Sequence, residues 1–384
     1  MSTPKRHAVA ADSVFDGITV RHNSAVVIEG KQIVGIASRR SLSDDMSVKD
    51  LPEGVWLAPG FIDVQVNGGG DRLFNNEPTP DAIAAIGAAH RQFGTTSFLP
   101  TLITDTDDKM KQAIAAVQAA MKTQPGVLGI HLEGPFLSKD KPGIHNPELI
   151  RAADAHHLKM LTSLKGGTTV VTLAPECVSG TFINELVNSG VKVSLGHSMA
   201  SYEETKAAIS DGLSGFTHLF NAMRPMASRE PGPIAAALEA AGCWYGLIVD
   251  GEHVSVPMLK FALRGAGTPM LVTDAMPPVG GKKTSFMLYG NEIVVEGGRC
   301  ATKDGHLAGS AIDMATAVYN CVKYLDVTLT EALSYASHSP AAFLGLGDQL
   351  GRIAQGFRAD LVAFEPDEMK IAGTWLAGEY KASA

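Results

Sequence analysis

Several stretches of the chain close on side chains that bind metals or move protons. In order they are Asp63-Val64-Gln65-Val66-Asn67, His131-Leu132-Glu133-Gly134-Pro135, a stretch closing at Glu176, Gly196-His197-Ser198, Thr217-His218-Leu219-Phe220-Asn221, Asp250-Gly251-Glu252-His253 and Thr273-Asp274-Ala275. A single His is most often a structural hydrogen-bonding residue. Together, Glu133, His197 and His218 supply one carboxylate and two imidazoles, a set suited to a divalent metal that keeps an open water position. Zinc is the first expectation for such donors, with iron, cobalt or manganese as alternatives. The ion would bring the pKa of its water to ~7 and polarise a carbonyl. Hydrolysis also needs a base, and Asp274 is the candidate to take the water proton and hand it to a leaving amine. Its alternative role, capping a helix, is weakened by Pro277-Pro278 and Gly280-Gly281, which favour a loop. His145 and Asn146 lie in a loop with Gly, Pro and Lys, and His253 with Arg229 offers cationic or hydrogen-bonding groups for an anion such as phosphate. Arg229 equally suits the surface or a subunit contact.

These segments need a scaffold that brings them to one rim. From about Pro59 to Met276, β-type runs at Gly60–Val66, Ser97–Leu102, Val127–Leu132, Thr169–Ala174, Val191–Gly196, Gly215–Leu219, Trp244–Val249 and Pro269–Val272 alternate with Ala-rich helical runs. The helical runs are Asp81–Phe93, Asp107–Lys122, Thr181–Asn188, Tyr202–Asp211 and Val256–Leu263. A repeat of roughly 20–40 residues is that of a βα unit. The pattern predicts an α/β protein with a closed (β/α)8 TIM-like barrel, whose chemistry sits at the C-terminal strand ends. A doubly wound open sheet is the alternative, but Gly68-Gly69-Gly70 lacks the spacing and the helix of a dinucleotide fingerprint.

Ala25–Ile28 and Gln32–Ile36 around Glu29-Gly30-Lys31 read as a hairpin. Similar runs return at Phe286–Tyr289, Glu292–Glu296, Asp360–Phe364 and Gly373–Leu376, so both chain ends are expected to build one small β-sandwich domain. The expected division is small β domain 1–58, barrel 59–283, β-domain insertion 284–302, C-terminal barrel helices 303–347 and small β domain 348–384.

The 384 residues are 45% hydrophobic and 19% charged, which allows a large core and excludes a disordered or fibrous chain. With a net charge of −8 and no basic tract longer than Lys5-Arg6 or Arg39-Arg40, nucleic acid is not an expected partner. Neither a secretory leader pattern nor a membrane-length apolar run is present, so a cytoplasmic protein without membrane contact is expected. Cys177, Cys243, Cys300 and Cys321 are widely spaced, form no C-x-x-C pair and read as buried free thiols.

The segments Pro59-Gly60-Phe61-Ile62-Asp63, Leu99-Pro100-Thr101, His131-Leu132-Glu133-Gly134-Pro135-Phe136 and Leu173-Ala174-Pro175-Glu176 occur in one order with five more. These are Gly196-His197-Ser198, Thr217-His218-Leu219-Phe220-Asn221-Ala222-Met223, Arg229-Glu230-Pro231-Gly232, Asp250-Gly251-Glu252-His253 and Val272-Thr273-Asp274-Ala275. Over nearly the whole chain this resembles the amidohydrolase superfamily and, within it, the family of N-acetylglucosamine-6-phosphate deacetylases. Pro-Gly-Phe-Ile-Asp is general to the superfamily, whereas H-L-E-G-P-F and H-L-F-N-A-M carry the narrower resemblance.

The resemblance implies metal-dependent hydrolysis of N-acetyl-D-glucosamine 6-phosphate to D-glucosamine 6-phosphate and acetate, in amino-sugar catabolism and cell-wall sugar recycling. It implies Glu133, His197 and His218 as ligands of one divalent metal, Asp274 as base and then acid, and His145 as a catalytic group steadying the oxyanion or the sugar. Ile144, His145, Asn221, Ala222, His253, Leu307, Ala308 and Gly309 would meet the substrate, and Arg229 would reach phosphate from the neighbouring subunit of a homodimer.

Many superfamily members carry His-x-His for a second metal where this chain reads Gln65-Val66-Asn67. Uncharged amides are weak ligands, so one metal is expected, with Gln65 and Asn67 marking a vestigial second position. The lid Ser138–Pro142 departs from the family pattern. Two rival readings are weaker. Cyclic-amide hydrolysis or deamination would call for two metals or a carboxylated lysine, yet Glu176 ends the fourth strand and would instead support a neighbouring ligand. A non-catalytic sugar-phosphate sensor would have no use for a base beside a metal site.

Overall fold

A computed structural model describes residues 6–383; residues 1–5 and 384, Lys5 of the first basic pair among them, lie outside the described residues. The expected barrel strands are present at Phe61–Val66, Thr95–Ile103, Gly129–Glu133, Thr168–Leu173, Lys192–Leu195, Gly215–Phe216, Trp244–Leu247 and Thr268–Leu271. They form one eight-stranded sheet in chain order. From Thr95–Ile103 onward each pairs in parallel with the next. Closure comes where Val66 bridges Ala275 in parallel, with Asp274 N donating to the Gln65 carbonyl at 3.0 Å and Asn67 N to the Ala275 carbonyl at 3.0 Å. Every residue of Phe61–Val66 and Thr95–Ile103 is buried, the polar Asp63, Gln65 and Thr101 included, as befits strands covered on both faces.

Helices Pro80–Arg91, Asp107–Ala120, Gly180–Asn188, Tyr202–Ser210 and Val256–Ala262 occupy the expected places. Their starts are chemically marked: Thr106 Oγ1 accepts the Lys109 N–H, and Ser201 with Glu204 forms a capping box. Two further helices, Ala155–Leu161 and Gly232–Glu239, were not expected. The first is only 7 residues long, and the second opens on Gly-Pro, which reads as a break although Pro suits a first helical turn.

The chain falls into two compact units. One comprises the chain up to Asp63, His90–Ser97 and the chain from Asp313; the other is Val64–Ala89 with Phe98–Ile312. Within the first, both chain ends build one eight-stranded sheet, joined where Leu361–Glu365 runs antiparallel to Trp56–Pro59. Val14, Val26, Ile28, Leu57, Leu361 and Trp375 pack its core. Trp375 is 1% exposed, and Trp375→Ala is expected to cost about 3–5 kcal/mol in denaturant unfolding; a loss under about 1 kcal/mol would contradict this packing.

The stretch 284–302 does not join that sheet. Ser285–Leu288, Asn291–Glu296, Arg299–Thr302 and Leu307–Ser310 form a separate four-stranded antiparallel sheet. Tight turns at Tyr289-Gly290 and Gly297-Gly298, all four residues at positive φ, close these hairpins locally. Phe286, Leu288, Ile293 and Cys300 bury their side chains with Leu73, Ile103 and Met276. Cys243, Cys300 and Cys321 are buried free thiols and Cys177 is half-buried. Among the described residues no helix is long and apolar enough to cross a membrane.

Candidate active site

Glu133 is the last residue of its barrel strand, and His197 and His218 each lie just past theirs. His197, His218 and Asp274 all have positive φ, at 50°, 33° and 51°. Such backbone costs on the order of 1–3 kcal/mol per non-glycine residue and persists only where surrounding bonds enforce it. Here Ser198 N donates to the Ala222 carbonyl at 3.0 Å, and Ser198 Oγ donates to Glu176 at 2.7 Å. Glu176 therefore braces the turn that carries His197, in keeping with its expected supporting role.

Glu133 Oε1 lies 3.0 Å from His197 Nε2 and 2.9 Å from His218 Nε2, and the two nitrogens are 3.1 Å apart. Tetrahedral bonds of ~2.0–2.1 Å place donor atoms ~3.3 Å from one another, so this buried triangle has the dimensions of a metal site. His197 Nδ1 lies 2.9 Å from the Lys141 carbonyl and must donate to it, which leaves the Nε2 lone pair facing the other two donors. Burial alone would raise the Glu133 carboxyl, but the imidazoles of His145, His197 and His218 gathered around it hold it well below the usual range. Burial would lower His218, yet its bond to Glu133 raises it. The cluster thus attracts positive charge, and a divalent ion would satisfy all three lone pairs together.

Beside it, Asp274 Oδ1 accepts from Gln65 Nε2 at 3.1 Å and Asn67 Nδ2 at 2.6 Å, while Gln65 Nε2 also lies 3.2 Å from Glu133 Oε2. Burial, and next the Glu133 charge, push Asp274 up to about 6. That is a suitable range for a group that must both take and return a proton. The Thr104 backbone N–H donates to His145 Nδ1 at 3.3 Å, with Thr104 Oγ1 2.7 Å away. A backbone N–H can only donate, so His145 carries its proton on Nε2, the atom 3.8 Å from Glu133 Oε1. Burial, then the neighbouring His197, push His145 down to about 4, so it is a neutral donor.

A cavity of about 720 Å³ opens over these groups and is also lined by Ile144, Asn221, Ala222, His253, Leu307 and Gly309. His253 Nδ1 lies 2.6 Å from Asp250 Oδ2, which fixes its ring. Gly309 is at φ 60°, and a Cβ there would meet the Asp274 carbonyl at 2.7 Å. Two expected substrate residues are not brought into the cavity. The Ala308 side chain faces the opposite side of its strand, among Phe286 and Leu288. Arg229 is exposed, does not line the cavity, and has no ion pair among the described residues.

Sequence reasoning missed Arg299, on the four-stranded sheet, and His306, in the turn between its last two strands, which line the cavity together with His253 and Lys141. It also missed Tyr289, whose hydroxyl donates to the Thr104 carbonyl behind His145. No motif marks these residues; the only signal was their closeness in sequence to Leu307-Ala308-Gly309.

A family model described as the amidohydrolase family matches residues 56–381. The chain is 44% identical over 326 residues to an N-acetylgalactosamine-6-phosphate deacetylase of Shewanella sp. (strain ANA-3), covering 84% of this chain and 82% of that protein. It is 33% identical over 381 residues to the N-acetylglucosamine-6-phosphate deacetylase of Haemophilus influenzae, covering 98% and 99%. The crystal structure of N-acetylglucosamine-6-phosphate deacetylase from Pasteurella multocida superposes with a TM-score of 0.95 at 34% identity, covering 98% of this chain and 100% of that one.

Proposed function

The chain belongs to the amidohydrolase family, and from that premise we propose that it hydrolyses the acetamide of N-acetyl-D-glucosamine 6-phosphate to D-glucosamine 6-phosphate and acetate. The observation that carries this reading is the meeting, in one cavity, of a Glu-His-His triangle, a carboxyl raised to about 6 and a mouth lined by Lys141, His253 and Arg299. Glu133, His197 and His218 hold one divalent ion, zinc on the chemistry of the donors, with iron, cobalt or manganese as alternatives. When bound, that ion supplies an acidified water and Lewis-acid polarisation of the carbonyl.

The chain's own residues do the rest. Asp274 takes the proton of the attacking water and returns it to the sugar nitrogen as the C–N bond breaks. His145 donates its Nε2–H to the carbonyl oxygen as negative charge gathers there. Asn221, Ala222 and His253 hold the phosphate, with Ile144, Leu307 and Gly309 against the sugar and acetyl group. Arg229 completes the phosphate site of the neighbouring subunit in a homodimer, which accounts for its exposure outside its own cavity. The reaction belongs to the cytoplasm, in amino-sugar catabolism and cell-wall sugar recycling.

The 44% identity to the Shewanella protein favours a second reading, in which the galactosamine epimer is the preferred sugar. Acetate release from both 6-phosphates and from unphosphorylated N-acetylglucosamine separates the two, with metal content measured on the same sample. The expected result is strong preference for N-acetylglucosamine 6-phosphate with about one metal per chain. Preference for the galactosamine 6-phosphate would transfer the assignment to that epimer, and no acetate from any of the three would overturn the deacetylase reading.

A further inference from the structure

We propose that Gln65 is a positioning residue that clamps Glu133 to Asp274 and assigns each carboxylate oxygen its task. Its Nε2 carries two hydrogens and has two acceptors, Glu133 Oε2 at 3.2 Å and Asp274 Oδ1 at 3.1 Å. Both carboxylates are buried, Glu133 at 2% and Asp274 at 8% exposure, and held together they repel each other in a poorly screened setting. A pair of N–H groups between them offsets that repulsion, the task a second cation would otherwise perform.

The bonds also sort the oxygens. With Oε2 of Glu133 tied to Gln65, Oε1 is the atom presented to His197 and His218. With Oδ1 of Asp274 taken by Gln65 and Asn67, Oδ2 is left for proton transfer. The backbone reinforces the arrangement: Asp274 N donates to the Gln65 carbonyl at 3.0 Å, and Val66 N donates to Thr101 Oγ1 at 2.9 Å. A glutamate at this position would bring a third negative charge and no donor. A histidine offers only one N–H on the edge it presents. The amide is therefore the side chain this geometry requires, and Gln65 is a working part of the centre rather than the remnant of a lost metal site.

The Asp274 half of the inference rests on the deacetylase reading, and the Glu133 half does not. The test uses Gln65→Met, close to Gln in length and without a donor, and Gln65→Leu, read by zinc affinity in chelator competition and by kcat and KM for N-acetylglucosamine 6-phosphate. Both variants are expected to bind zinc ~10–100-fold more weakly and, with zinc saturating, to lose ~10–100-fold in kcat while KM stays within about twofold. Should the leucine variant fail to fold, Gln65→Met alone decides. Unchanged zinc affinity and kcat in Gln65→Met, or an effect confined to KM, overturns the clamp. If the wild-type protein releases no acetate from the sugar phosphate, the functional reading fails separately. Zinc affinity then still decides: a 10–100-fold loss upholds the Glu133 clamp and no loss overturns it.

Discussion

Asp274→Asn is expected to lower kcat for acetate release by ~10²–10⁴-fold while metal content and sugar-phosphate binding stay near wild type. Asparagine keeps the size of the side chain, and its oxygen can still accept from Gln65 and Asn67, now 3.1 and 2.6 Å from Asp274 Oδ1. What it cannot do is take a proton. Calorimetric titration with the sugar phosphate and metal analysis on the same protein check the two halves of the claim; turnover at the wild-type rate would remove Asp274 from its role. The pH profile gives the same test a sign. Burial and the nearby Glu133 raise Asp274 to about 6, and the active form is the carboxylate, so kcat/KM falls as pH drops through the Asp274 pKa. A cation held by Glu133, His197 and His218 moves that limb to lower pH, because it favours the ionised form.

Stripping the metal is the second large effect. Chelation followed by gel filtration should cut activity by at least about 10³-fold, or about 4 kcal/mol of transition-state stabilisation, and one divalent ion per chain should restore it. His218→Ala should bind the ion far more weakly, because it deletes one corner of a triangle whose edges are 2.9–3.1 Å. The interaction with Glu133 raises His218 despite its burial, so a proton competes with the metal there and stripping should become easier as pH falls. Full activity in rigorously metal-free protein would end the metal-dependent reading.

Much of this centre was legible because a buried parallel strand announces itself twice. It is rich in β-type apolar residues, as Phe61, Ile62, Val64 and Val66, and polar side chains gather toward its C-terminal end, as at Gln65 and Asn67. Glu133, His197, His218 and Asp274 all follow that rule and all meet in the structure. Arg299 and His306 could not be found in this way. Their sheet meets the rim through the parallel bridge from Ser310 to Ala275, a pairing that leaves no periodic trace in either segment. Ala308 was wrongly placed against the substrate for a different reason. It sits between two cavity residues in the chain, but alternation along Leu307–Ser310 turns its side chain away, and a motif read as a block of consecutive letters ignores that alternation. The tautomer of His145 likewise depends on one backbone N–H, at Thr104, that side-chain types do not reveal. Arg229 is exposed and does not line the cavity, and its proposed place in a neighbouring subunit's site is one that a single chain's sequence does not reveal.

The self-contained four-stranded sheet separates two kinds of change. Glu133, His197, His218 and Asp274 sit at or just past the ends of barrel strands whose register is locked by neighbours on both sides, so an insertion in a strand would displace the rim. Arg299, His306 and Leu307, by contrast, hang from hairpins with their own turns at Tyr289-Gly290 and Gly297-Gly298, which can lengthen or shorten without shifting any barrel strand. The outer lining of the cavity and its Glu-His-His triangle are thus written on different stretches of chain, so the former can change length while the latter keeps its geometry.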